Sequence, residues 1–305
     1  KQSELIDELI KEGADGTQPT EEISVKEALE LFPALNTIHL ERAIVETGTA
    51  DIDVAALHQA FVRGFRQHGG EITTSARVDS ATKERNGWKI ETTTGELEAD
   101  VVINAAGAWG DHVAKRAGIE PIGLQPKRRT AFMVNAPVLE TSQWAMLDDA
   151  AHSWYVKPDG PQLLCSPADE TPSDPCDAKP LEEDIARAIE RINEATTLNI
   201  RSINSSWAGL RTFTSDRSMV IGPDPEEPSF IWCVGQGGTG IQTSPAAGQL
   251  TAELAINGET SESLSNLNLD GITFKVFNVE IYFALVPKTS TSNKFILLSK
   301  LSFSG

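Results

Sequence analysis

The sequence predicts an α/β (α+β) protein with one domain on a parallel sheet and a second on a mostly antiparallel sheet. Two observations predict the parallel part. Val101 to Ile103 and Phe230 to Val234 are unbroken apolar runs, the pattern of strands buried on both faces, and each leads at once into small residues and a helix. The third observation is a change of texture at Pro126, after which separate strands follow one another with no helix between them until Leu181.

Taken in order, Ser3 to Glu12 places Leu5, Ile6, Leu9 and Ile10 at helical spacing. Ser24 and Glu27 form a capping box for a short helix that stops at Pro33. Asp53 caps a helix from Val54 to His68, with Leu57, Phe61 and Phe65 on its apolar face and Gly69-Gly70 at its end. His58 and His68 read as surface residues, because no metal-like spacing accompanies them.

Ile72 to Val78, Trp88 to Thr93 and Leu97 to Ala99 read as a small meander with its turn at Asn86-Gly87. The run at Val101 to Ile103 opens into Asn104-Ala105-Ala106-Gly107-Ala108-Trp109, then a helix from Asp111 to Ala117 that Gly118 ends. Strand, small-residue turn and helix is how such folds offer backbone amides to a ligand at the carboxyl end of a sheet.

Strands are expected at Arg128 to Asn135, Ser153 to Lys157 and Gln162 to Ser166, and an extended stretch at Ile200 to Thr214 carries Gly209 and Arg211 towards the next glycine loop. Asp169 to Lys179 reads as a surface loop, and Leu181 to Glu194 as a helix with Leu181, Ile185, Ile189 and Ile192 inward. Lys127 and Arg129 share one face of their strand and Arg128 takes the other.

After Phe230 to Val234 comes Gly235-Gln236-Gly237-Gly238-Thr239-Gly240, four glycines in six positions ahead of a helix. Such a backbone passes close to a flat or anionic group, and the helix aims N–H donors and a positive dipole end at it. Pro245 places the helix start near Ser244. The loop matches the G-x-G-x-x-G of a nicotinamide dinucleotide fold, but that fold needs a second strand ending in an acid, and Gly258 to Asn266 has no strand pattern. A glycine-rich turn with no ligand stays an alternative on the loop alone.

Composition excludes several partners. A net charge of −18 disfavours nucleic acid and anionic membrane, and no stretch is apolar enough to span a bilayer. Three cysteines, Cys165, Cys176 and Cys233, lack metal spacing and suit a reduced, cytoplasmic compartment. From 271 to 305, Lys275, Lys288, Lys294 and Lys300 against Glu280 reverse the balance to +3 and leave −21 for the rest. Apolar residues at 272 to 285 and 294 to 303 suggest strands there.

Five ordered stretches, VVINAAGAWGDHVAKRAG, LQPKRRTAFMVNAP, SWYVKPDG, SSWAGLRTFTSDRSMVIG and VGQGGTGIQTSPAAG, resemble the FAD-dependent D-amino-acid oxidase and glycine oxidase family. The likeness is strongest to its D-arginine dehydrogenases, in ADIDVAALHQ, LQPKRR, YVKPDG and WAGLR, although Thr239 stands where those enzymes carry an aromatic residue. The resemblance implies an FAD domain over 1–126 and 205–270, a substrate domain over 127–204 and an atypical tail over 271–305. It also implies that the family's opening strand, first glycine fingerprint and acidic ribose contact are missing, so the FAD domain is expected to be incomplete and the chain truncated.

By the same resemblance, FAD is the cofactor, lined by Val78, Ala105, Ala106, Gly107, Trp109, Gly209, Gly237, Gly238, Thr239, Gly240, Ile241 and Gln242. Arg211 would clamp the carboxylate of an amino-acid substrate with its planar fork of donors, Tyr155 would add its hydroxyl, and Arg129 would point to the substrate. On residue type alone, Arg211 fits a surface ion pair with Asp216 as well. The implied chemistry is hydride transfer from the substrate Cα to flavin N5, leaving an imine, which needs no metal and no nucleophilic triad. A catalytically inactive fragment acting as an interaction module is the alternative function.

Overall fold

The computed structural model describes residues 2–13, 20–38, 40–46, 50–137, 140–261 and the backbone of 295–298. The chain forms two compact units. One comprises Lys1–Asp51, Arg128–Thr171 and Asp177–Gly209, the other Ile52–Lys127, Pro172–Cys176 and Leu210–Gly305.

The second unit is built on a four-stranded sheet in the order Val220–Pro223, Phe230–Val234, Val101–Asn104, Phe295–Leu298. Phe230–Val234 pairs in parallel with Val101–Asn104, with Trp232 opposite Asn104, and Val220–Pro223 joins antiparallel. The apolar runs have two buried faces because alternate side chains enter different cores. Val102, Phe230, Trp232 and Val234 pack with Val113 and Ala114 of the helix Gly110–Arg116 and with Trp88 and Ile90. Ile103, Ile231 and Cys233 pack with Ala247 and Leu250 of the helix Gly240–Asn257. Full burial of a Phe or Ile side chain is worth about 1.5–3 kcal/mol, so these two strands anchor the unit.

The helix Val54–Gln67 begins as expected, with the Asp53 carboxylate accepting from Ala56 N at 2.8 Å. His58 on it is half-buried rather than exposed. The meander is present but displaced: its strands are Val78–Glu84, Gly87–Thr92 and Gly95–Ala99, and 72–77 is irregular, with Ser75 at φ 58°. Arg85-Asn86 is the two-residue turn, so the strand must run directly into it. Asp79, Thr82, Lys83 and Glu84 are exposed while Val78 and Ala81 are buried.

The first unit takes the strand Gln125–Asn135 from Arg128 on, and this strand, Gln162–Ser166, Tyr155–Asp159 and Leu147–Asp148 pair antiparallel in that order. Thr171–Pro172 and Ser205–Phe213 also pair with Gln125–Asn135; of the latter partner, Ser205 to Gly209 belong to the first unit and Leu210 to Phe213 to the second. Phe132, Val134, Val156, Leu163 and Cys165 send their side chains into one core against Ile185, Ala188 and Ile192 of the helix Glu182–Ala195. Leu181 does not join them. It is the N-cap, outside the periodic face, and is 46% exposed. The short helix Val25–Leu31 has the expected capping box.

Two further expectations are corrected. The glycine-loop helix starts at Gly240, five residues earlier than Pro245 suggested, because proline's fixed φ suits a helix and the loop already turns at Thr239. The expected strand at 272–285 lies outside the described residues, whereas Phe295–Leu298, within the stretch expected at 294–303, pairs in parallel with Val101–Asn104.

Candidate active site

In the second unit the two parallel strands end side by side, and each turns into a small-residue loop at that end of the sheet. The first loop is braced by Asn104, which is fully buried. Its Nδ2 donates to Gly110 O at 2.9 Å and its Oδ1 accepts from Ala106 N at 3.3 Å, so one side chain spans the whole turn. Gly107 stands at φ 52°, and a Cβ there would meet nothing within 4 Å, so the turn opens at Gly107. Ala106 is 6% exposed, and Trp109 packs on the same core as the helix that follows. Gly110 is needed for a different reason: a Cβ there would lie 2.6 Å from Leu124 and 3.0 Å from Val234.

The second loop also carries close approaches. Gly235 and Gly237 have φ of 80° and 58°, a region other residues enter only under strain. Gly237 N donates to Thr212 O at 2.8 Å, and a Cβ on Gly237 would meet the Phe213 ring at 2.7 Å. A Cβ on Gly238 would lie 2.9 Å from Nη1 of Arg211. The guanidinium of Arg211 therefore rests against the loop backbone. Thr239 caps the helix, whose first turn contains Gly240, Ile241 and Gln242; the first N–H groups of a helix have no intrahelical acceptor and point along its axis.

This geometry fits a flat, partly anionic group: glycine backbone where a Cβ would obstruct, two loops at one sheet end, and the positive end of an 18-residue helix. Lys127 lies with its Nζ 4.9 Å from the Phe213 ring centroid and the Arg217 guanidinium 4.2 Å from it. Neither cation nor Phe213 was singled out in the sequence as part of the site, since only the fold brings 127, 213 and 217 together. Asp216 accepts from Thr214 Oγ1 at 2.9 Å and from Ser218 N at 3.0 Å. Val78 is buried at the start of its strand in the same core as Ala106, and its carbonyl accepts from Arg116.

The other residues singled out lie in the first unit. Tyr155 is half-buried and opposite Ser166, two residues before Lys157, which pairs with Asp51. Gly209 is exposed, with nothing within 4 Å of a Cβ. Arg129 donates from Nε to Asp169 O at 2.9 Å and approaches Glu170 Oε1 at 3.5 Å. Arg128 goes the other way, to Asp169 Oδ2 at 3.1 Å and Asp184 Oδ2 at 2.7 Å, and the Asp169 side chain is only 7% exposed, so the expected surface loop does not begin at Asp169. Among the described residues, no group of His, Cys, Asp and Glu could hold a metal, and no helix is long and apolar enough to cross a membrane.

Comparisons with known proteins find a matching family model and similar folds. A family model described as FAD dependent oxidoreductase, DAO, matches residues 1–254. The chain is similar to a glycine oxidase of Geobacillus kaustophilus, with 26% identity over 255 residues, covering 83% of this chain and 66% of that protein. It is also similar to FAD-dependent oxidoreductase domain-containing protein 1 of Xenopus laevis, 30% identical over 200 residues, covering 59% of this chain and 39% of that one. The chain thus spans about two fifths to two thirds of the length of these relatives. The crystal structure of the Geobacillus glycine oxidase superposes with a TM-score of 0.75 at 23% identity, over 84% of this chain and 68% of that one. An L-alpha-glycerophosphate oxidase from Mycoplasma pneumoniae with FAD bound gives 0.72 at 19%, over 83% and 70%. At these identities the superpositions establish the fold alone.

Proposed function

The chain belongs to the FAD-dependent oxidoreductase (DAO) family, and from that premise we propose that it oxidises the amine of a small amino acid, glycine or a D-amino acid, to an imine. The observation that carries this reading is the Arg211 guanidinium resting on Gly238, beside the helix that starts at Gly240. A carboxylate clamp is thereby held at the loop best suited to a flat cofactor.

When bound, FAD supplies at N5 the acceptor for the hydride that leaves the substrate Cα. The residues assigned to hold it are the backbones of Ala105, Ala106, Gly107, Gly237, Gly238, Thr239, Gly240, Ile241 and Gln242, with Trp109, Val78 and Gly209 as further contacts. Arg211 takes the substrate carboxylate in a bidentate pair, Tyr155 donates its hydroxyl to that carboxylate, and Arg129 is assigned to the substrate as a third donor. The protein's work is orientation: the Cα–H must face the acceptor with the amine neutral, and no nucleophile of the protein takes part.

The test is a titration of the chain with FAD, followed by quenching of flavin fluorescence and the shift of its absorbance bands. Saturable quenching at micromolar FAD is expected, and anaerobic glycine, sarcosine or D-amino acids should then bleach the flavin bands. A chain that binds FAD but is bleached by none of them would lose the amine-oxidising assignment.

A further inference from the structure

Asp169 holds the strand Gln125–Asn135 from both sides. Its carboxylate accepts from Arg128 Nε at 3.1 Å, Thr130 N at 2.6 Å and Thr130 Oγ1 at 3.1 Å, while its backbone carbonyl accepts from Arg129 Nε at 2.9 Å. Residues 128 and 130 share one strand face and 129 the other, so one residue can serve both only because its side chain and carbonyl point apart. The turn that permits this is fixed too. Ala168 has φ 50°, a conformation few non-glycine residues adopt, and its N–H is held by Ser166 Oγ at 3.0 Å, which in turn donates to Thr130 O at 2.6 Å. Arg128 is locked behind it by Asp184 Oδ2 at 2.7 Å, with side chains of Arg128, Asp169 and Asp184 only 13%, 7% and 12% exposed.

We propose that Asp169 is a positioning residue that sets the direction of the Arg129 guanidinium and, through it, the affinity for an anionic group of the substrate. The inference rests on the substrate role given to Arg129 above. An unsupported Arg loses rotamer freedom when it binds an anion; the Asp169 carbonyl removes part of that freedom beforehand, by engaging Nε. Glu170, 3.5 Å from Arg129 Nη2, limits the swing on the other side.

The experiment uses the FAD-loaded full chain and glycolate, a carboxylate that resembles glycine and has no amine to oxidise, with Kd read from the perturbation of the flavin bands. Asp169→Asn sets an amide donor against the donors of Arg128 and Thr130; it is expected to weaken glycolate about tenfold and leave the FAD Kd unchanged. Arg129→Met should weaken glycolate by a similar factor, and Asp169→Asn should add nothing in the Arg129→Met background. Asp184→Asn, which loosens Arg128 without touching the bonds of Asp169, should act in the same direction by about twofold. If Asp169→Asn costs as much with Arg129→Met as without it, the effect is structural and the positioning role is lost. Should glycolate affinity be indifferent to Arg129→Met, the substrate role of Arg129 fails and this inference with it, while FAD binding still supports the family chemistry; no FAD binding overturns both.

Discussion

Two adjacent glycines in one loop answer to different constraints. Gly237 combines φ 58° with a Cβ position 2.7 Å from the Phe213 ring, a rigid neighbour that is 5% exposed. Gly237→Ala is expected to destabilise by about 1–3 kcal/mol, seen as a lower thermal midpoint. At Gly238 the obstacle is Arg211 Nη1, the far end of a flexible side chain, at 2.9 Å. Gly238→Ala should therefore cost under about 1 kcal/mol of stability yet move the clamp, weakening glycolate about tenfold in the same flavin assay. Arg211 and the glycine loop were legible in the sequence as residue types; Phe213 was not, because an apolar residue on a strand reads as core until its neighbour is known. Burial also separates the cysteines. It pushes the Cys165 thiol up to about 12 from an ordinary 9.0, whereas Cys176 is exposed. A thiol whose folded value is raised contributes stability below the ordinary value, lost as pH climbs through the folded one. Between about pH 9 and about pH 12 the unfolding free energy from chemical denaturation should fall more steeply in the wild type than in Cys165→Ala, by no more than about 1.4 kcal/mol per pH unit. Below that window a thiol reagent should label Cys176 and spare Cys165.

Elements were legible where one period dominates and less so where geometry elsewhere decides. Val101–Asn104 and Phe230–Val234 were readable because continuous apolar runs mean two buried faces, and the alternate entry of Val102 and Ile103 into separate cores shows why. The first meander strand was misplaced because Ile72, Thr73 and Thr74 have strand propensity, while the true strand hides its period behind Asp79, Lys83 and Glu84. Pairing to Gly87–Thr92 overrides propensity. Pro245 misled in the same way: it lies inside the helix Gly240–Asn257, where it cannot donate to Ile241 O and its ring crowds that carbonyl. Pro245→Ala restores the donor but gives up proline's restriction of the unfolded chain. A net stabilisation of about 1–2 kcal/mol is expected in chemical denaturation, with the FAD Kd unchanged if the helix start is already fixed at Thr239.

At the scale of the molecule, the two units divide the proposed labour unequally. Both small-residue loops, the helix from Gly240 and Arg211 belong to the unit formed by Ile52–Lys127, Pro172–Cys176 and Leu210–Gly305. Tyr155, Arg129 and the Asp169 network belong to the other, whose core of Phe132, Val134, Val156 and Leu163 is closed by its own helix Glu182–Ala195. A ligand that binds the folded state stabilises what it touches; at one hundred times its Kd, FAD should add about 2.7 kcal/mol to opening of the segments that hold it. Amide hydrogen exchange reads this segment by segment. With saturating FAD, protection should rise in 101–117 and 230–257, which share two cores around the same parallel strands, and change little in 128–135, 155–166 and 182–195. Glycolate added afterwards should raise protection around 167–171, where Asp169 receives Arg129. An equal rise in both units on FAD alone would mean that cofactor binding is not confined to the parallel-sheet unit, and the division of roles drawn from the loops would have to be given up.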